Sequence, residues 1–114
     1  MNRDEFLARE VMQWHWEIHE AILGWVEYWE GWVASDGKWK ASKWNPGESW
    51  PQTGMVLKEM EKDGWECSIT TRFGLPKCVI FLRPAKDWIY KMAEHDDLRE
   101  AIANAAARAK GWEG

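Results

Sequence analysis

His15 and His19 stand four residues apart, a spacing that on a helix brings two imidazoles to one face, where they can hold a metal ion. In the His-Glu-x-x-His pattern of zinc hydrolases, the residue after the first histidine is the general base. Here that residue is Trp16, so the pattern is absent. On a strand the two histidines also share a face, with Glu17 between them. The expectation is a solvated polar edge and no metal site. Cys67 can be written as a nucleophile beside His95 or His19, but nothing in the spacing supports such a pair. Asp96-Asp97 reads as a helix cap. There is no Gly-x-Gly-x-x-Gly run and no Walker loop. No catalytic residue is assigned, no cofactor is expected, and the chain reads as a binding protein rather than an enzyme.

The binding chemistry is aromatic. Eleven of the 114 residues are tryptophan, in a chain of net charge −4. An indole joins a large apolar surface to one N–H donor, and a core of this size does not easily absorb eleven of them. Some are therefore expected to line a pocket or a subunit contact. Trp44 and Trp50 flank the start of a predicted helix, whose free N–H groups can hold phosphate. Arg72, Lys77, Arg83 and Lys86 gather around a predicted hairpin and its continuation. An arginine fork at Arg72 or Arg83 suits a pyrophosphate. The charge is uneven: Glu10 to Asp36 holds six acids and no Lys or Arg, whereas Glu66 to Lys91 holds five bases and two acids. A local basic patch on an acidic protein suits a small anion better than a nucleic-acid polymer.

These residues must be positioned by one domain, 1–114, by length. Asn2 with Glu5 caps a first helix over 2–13, bearing Phe6, Leu7, Val11 and Trp14. Residues 14–19 alternate and favour strand or loop, although Leu7, Val11, Trp14, Ile18 and Ile22 also keep helical spacing. Gly24, Trp25, Trp29 and Gly31 follow. Ser35-Asp36-Gly37-Lys38 marks a turn between Trp32-Val33 and Trp39-Lys40-Ala41. Ser49, Pro51 and Gln52 open a second helix over 49–63, stopped by Gly64. Residues 65–72 alternate, with Cys67, Ile69 and Thr71 facing one way, and both cysteines are expected to be buried free thiols. Residues 78–82 are continuously apolar and predict a central strand buried on both faces. Trp88-Ile89-Tyr90 predicts a third strand. Asp97 with Glu100 caps a last helix over 97–110 that is rich in alanine. The order gives an α+β fold: a short antiparallel sheet of three to five strands packed by about three helices. No apolar run reaches the about 20 residues of a membrane span, and the first residues lack a signal-peptide core, so a reducing cytoplasm is expected.

Val11-Met12-x-Trp14, then Trp44-Asn45-Pro46 before a helix closing on Glu61-Lys62-Asp63-Gly64, then Leu98-Arg99-Glu100-Ala101-Ile102-x-x-Ala105-Ala106, come in an order and spacing that resembles the phage ABA-sandwich domain family. The likeness covers 1–14 and 44–112. Gln13 departs from it, standing where such proteins often carry Gly, and the Trp-rich segment 14–43 looks specific to this chain. The resemblance implies a small accessory protein of a bacterial virus, working in the host cell cytoplasm. Several unrelated phage proteins of this size are sponges for host immune nucleotide signals, and by that analogy of setting the expected ligand is a nucleotide-derived signal of the cyclic or conjugated ADP-ribose class. With Trp14 and Asn45 from the matching segments, the candidate ligand-binding set is Trp14, Trp44, Asn45, Trp50, Arg72 and Arg83. Surplus tryptophan also predicts a homo-oligomer. The rival readings are an inhibitor that grips a host protein through its Trp-rich surface, and an enzyme that cleaves the signal.

Overall fold

A computed structural model describes residues 1–19, 28–84 and 89–113, with the side chains of Ile89 and Tyr90 set aside. Ile22, Gly24, Trp25, Lys86 and Trp88, named above, lie outside the described residues. Among the described residues three helices and two antiparallel three-stranded sheets make an α+β fold.

The first helix starts as predicted. Asn2 Oδ1 accepts the Glu5 N–H at 2.8 Å and opens α1 (Arg3–Phe6). From Leu7 the ladder widens by one residue into a π-helical segment, Leu7–Val11, and the Met12 N–H donates to the Leu7 carbonyl at 3.0 Å. Gln13 then turns the chain with a left-handed φ of 61°. Only glycine adopts this region without steric cost.

The turn releases β1 (His15–His19), which pairs with β2 (Trp29–Val33), which pairs with β3 (Trp39–Ala41). The alternation of residues 14–19 decided correctly for strand over helix. Registers Trp16↔Trp32 and Glu17↔Gly31 put Trp16 and Trp32 on one face and His15, Glu17 and His19 on the other. Gly31 is required by space. A Cβ there would lie 2.8 Å from the Ala41 carbonyl oxygen and 2.8 Å from the Trp39 indole nitrogen.

In α2 (Trp50–Lys62), Ser49 occupies the cap position but its side chain makes no capping bond. The expected Ser49–Gln52 box is replaced by a longer reach. Residues 45–49 form a tight turn ahead of the helix, so Gln52 meets Asn45 and Lys43 instead. Gly64, at φ 86°, ends the helix as predicted. The second sheet runs β4 (Glu66–Thr70), β5 (Lys77–Arg83), β6 (Ile89–His95), with β5 central. β6 is longer than the 88–90 strand predicted for it.

Three expectations fail here. The described strands form two sheets rather than one. The apolar run of β5 is buried on one face only: Val79 and Phe81 are enclosed, while Cys78, Ile80 and Leu82 on the other face are half-buried. β4 is an edge strand exposed along its whole length, so Cys67 and Ile69 are not core. α3 (Leu98–Ala109) covers the Val79–Phe81–Ala93 face. Ala101, Ala103, Ala105, Ala106 and Ala107 are buried, and their small side chains let the helix sit close to β5 and β6. Asp97 caps it as predicted, accepting the Arg99 N–H at 2.9 Å, but Glu100 turns away to pair with Arg3 of α1.

Candidate functional site

A cavity with aromatic walls lies between α1 and the first sheet. It is an open cleft of about 470 Å³, lined by Asn2, Asp4, Glu5, Arg9, Trp16, Trp32, Ser42 and Trp44. Three features of local structure build it. Strand pairing sets Trp16 across from Trp32, edge to face, at 5.2 Å and 79°. The π-helical segment aims Arg9 back over Trp32, its guanidinium carbon 5.2 Å from the ring centroid, while Arg9 Nε donates to Glu5 at 3.3 Å. The turn before α2 supplies Trp44. Gln52 fixes that turn by accepting the Asn45 N–H at 2.7 Å and donating to the Lys43 carbonyl at 3.1 Å. Thr53 Oγ1, fully buried, bonds back to Ser49 and Pro46.

Trp14 backs Trp44 at 4.8 Å, edge on at 69°, and both are buried. The Trp44 indole nitrogen is enclosed and has no hydrogen-bond partner among the described residues. An unmet buried donor costs about 1–3 kcal/mol, so the arrangement is unfavourable until something supplies an acceptor.

The carboxylates at the cleft are held in place. Asp4 bridges Arg3 at 2.9 Å, and Arg3 also pairs with Glu100 and donates to Asn104 at 3.0 Å. Burial alone would lower the Arg3 pKa, but bonding to Glu100 and the charge of Asp4 hold it above its ordinary value. Among Arg3, Arg9, Asp4, Glu5 and Glu100 one negative charge is left over.

The six residues named from sequence do not converge. Trp44 lines the cleft and Trp14 supports it. Asn45 adjoins Trp44, but its side chain turns to Glu48 at 3.4 Å. Trp50 is 53% exposed and lies under the Arg99 guanidinium, 5.5 Å from its centroid. Arg72 lines a separate depression at the β4–β5 turn, with Thr70, Leu75 and Glu94. Arg83, at the far end of β5, faces Asp63 at 3.8 Å and Trp65 at 5.7 Å. A seven-residue strand spans about 20 Å, too far for one pyrophosphate to reach both arginines. Sequence reasoning missed Arg9, Trp16 and Trp32. The usable signal was the alternation Trp14-x-Trp16, which places neighbouring indoles together once the segment is read as strand.

The remaining candidates stay apart from this cleft. His15 and His19 both face Glu17, at 3.0 and 3.4 Å, and His19 stacks on Trp29 at 4.1 Å. Among the described residues no three His, Cys, Asp or Glu groups are placed to hold a metal ion. Cys67 and Cys78 are free and fall on opposite faces of their sheet. The Cys67 thiol sits in a groove with Leu57, Trp65 and Phe81, and desolvation there pushes its pKa up, away from a reactive thiolate. Among the described residues no helix is long and apolar enough to cross a membrane. No family model, curated protein or solved structure matches the chain.

Proposed function

We propose that this is a non-enzymatic phage accessory protein of the ABA-sandwich kind, which sequesters a small nucleotide-derived immune signal in the host cytoplasm. The ligand is of the cyclic or conjugated ADP-ribose class, and the tryptophan cleft is where its base is held. The observation that carries this reading is the buried, unpartnered indole N–H of Trp44 in a wall shared with Trp16 and Trp32. A pocket of this volume holds a base with its ribose, and stacking on indole contributes about 1–3 kcal/mol per base. A sponge must hold its ligand unchanged, which calls for desolvated stacking and a waiting donor rather than a general base.

A second reading, capture of a host protein, is favoured by a separate observation: Trp39 is 54% exposed on the first sheet. Such exposure also suits a homo-oligomer. Thermal-shift and chromatography screening against nucleotide signals, with light scattering on the eluate, separates these readings. The sponge reading expects an assembly larger than 13.4 kDa, ligand released intact by heat, and an affinity lowered about tenfold or more by Trp44→Phe, the equivalent of one lost hydrogen bond. Turnover would make it an enzyme. A stoichiometric protein partner without any nucleotide binding would replace the sponge with the inhibitor.

A further inference from the structure

Resting on the reading of the tryptophan cleft as a ligand site, we propose that it selects the charge of the ring it takes. Its ligand end is a planar cationic heteroaromatic ring bearing a carbonyl or amide acceptor, of the pyridinium-carboxamide type.

Three observations point the same way. The walls are indoles, whose faces carry negative quadrupole density and attract organic cations. The molecule already shows this preference, since Trp32 holds the Arg9 guanidinium over its ring. The charged side chains that line the cleft, Asp4, Glu5 and Arg9, sum to one negative charge. Arg9 is neutralised by Glu5, and Asp4 has only Arg3, which Glu100 shares. An anionic ring would therefore lose its hydration for a single arginine that is already engaged. The buried Trp44 N–H asks for an acceptor, which a bare ammonium lacks. A ring with positive charge in its plane and a carbonyl on its edge meets both demands. In a nucleotide-type ligand this puts a charged base inside and the phosphates outside.

The test uses three near-isosteric probes with the intact chain: 1-methylnicotinamide (cation), nicotinamide (neutral) and nicotinate (anion). Affinity is measured by calorimetry, and the Trp44 indole N–H is followed by NMR after assignment with Trp44→Phe. The cation is expected to bind at least about tenfold more tightly than nicotinamide, in line with a desolvated cation–π contact. It should also move the Trp44 N–H resonance downfield, and nicotinate should bind most weakly. Asp4→Asn should bring cation and neutral probe to within about threefold. The wild-type ranking decides the matter even if that variant is unstable. Nicotinamide or nicotinate binding as well as the cation, with the Trp44 resonance moving, would overturn the charge selection and leave the cleft as a ligand site. No probe binding and a stationary Trp44 resonance would overturn the inference, and the nucleotide screen would then decide the sequestration reading separately.

Discussion

Trp44 and Trp65 are the same residue at nearly the same burial, 8% and 6% exposed, and they lie in regions built on opposite terms. Trp65 has a partner for its donor, and the charges of Asp63, Arg83 and Lys110 beside it are paired. Its indole N–H donates to Asp63 at 3.2 Å, and Arg83 lies over its ring. Asp63 also takes the Lys110 ammonium at 2.8 Å, joining the end of α2 to the end of α3. Around Trp44 the rings meet edge to face and the donor is left unmet. Fully satisfied polar networks rigidify a fold, whereas an unsatisfied one is kept only where something else compensates. The Trp65 joint holds the molecule together. The Trp44 cleft leaves a buried donor unmet.

The sharpest way to break this comparison is to make the same change at both sites. Trp65→Phe loses a hydrogen bond to a carboxylate as well as ring volume, and should cost about 2 kcal/mol. Trp44→Phe loses similar volume but removes an unmet donor, so its cost should stay within about 1 kcal/mol. Urea denaturation of the two variants measures the difference. Equal losses would mean that the Trp44 N–H is satisfied in solution, and the contrast between the regions would fall.

The two regions were not equally legible in the sequence. The Trp65 side was written in local signals. Gly64 at a left-handed φ stops α2, Asp97 caps α3, and the alanine run gives the close-packed face. What could not be read there was which faces of the second sheet find cover, because that depends on where α3 lies and not on the strand's own pattern. So β5 looked doubly buried and Cys67 looked like core. On the Trp44 side, periodicity recovered β1 and the hairpin, but the cleft depends on register across strands distant in sequence. Trp16 facing Trp32 is a tertiary fact. So is the diversion of Gln52 from Ser49 to Asn45, which holds Trp44 in place. Arg72 and Arg83 share a charge patch in the sequence and stand at opposite ends of a strand in space.

A smaller effect sharpens the joint. The Lys110 hydrogen bond and charge lower the Asp63 pKa, outweighing a desolvation that would raise it, and Trp65 and Arg83 add to the lowering. The folded-state pKa therefore lies below the ordinary 3.8. The stability it contributes is full above that value and is lost as pH falls through the lower folded value. Asp63 is 40% exposed, so solvent screening keeps the effect below about 1 kcal/mol. Asp63→Asn should lower stability at pH 7 and flatten its decline below pH about 4. A variant with an unchanged acid limb would show that Asp63 does not anchor the joint.

The smallest effect concerns the hinge between α1 and the cleft. Gln13 holds a left-handed φ of 61° just before Trp14. A non-glycine residue there costs about 1 kcal/mol. Its amide recovers part of this by donating to the Glu10 carbonyl at 3.0 Å, an exposed bond. Gln13→Gly removes both the strain and the bond, so a net gain of about 0.5 kcal/mol is expected. Glycine also widens the freedom of the chain that enters β1. If the cleft depends on a fixed approach of Trp14 and Trp16, the more stable variant should bind the cationic probe no better than wild type, and a little worse. Thermal melts and calorimetry on one sample separate the two effects. A fall in stability would show that the left-handed turn is not strained, and a gain in affinity would show that the cleft needs to move in order to close.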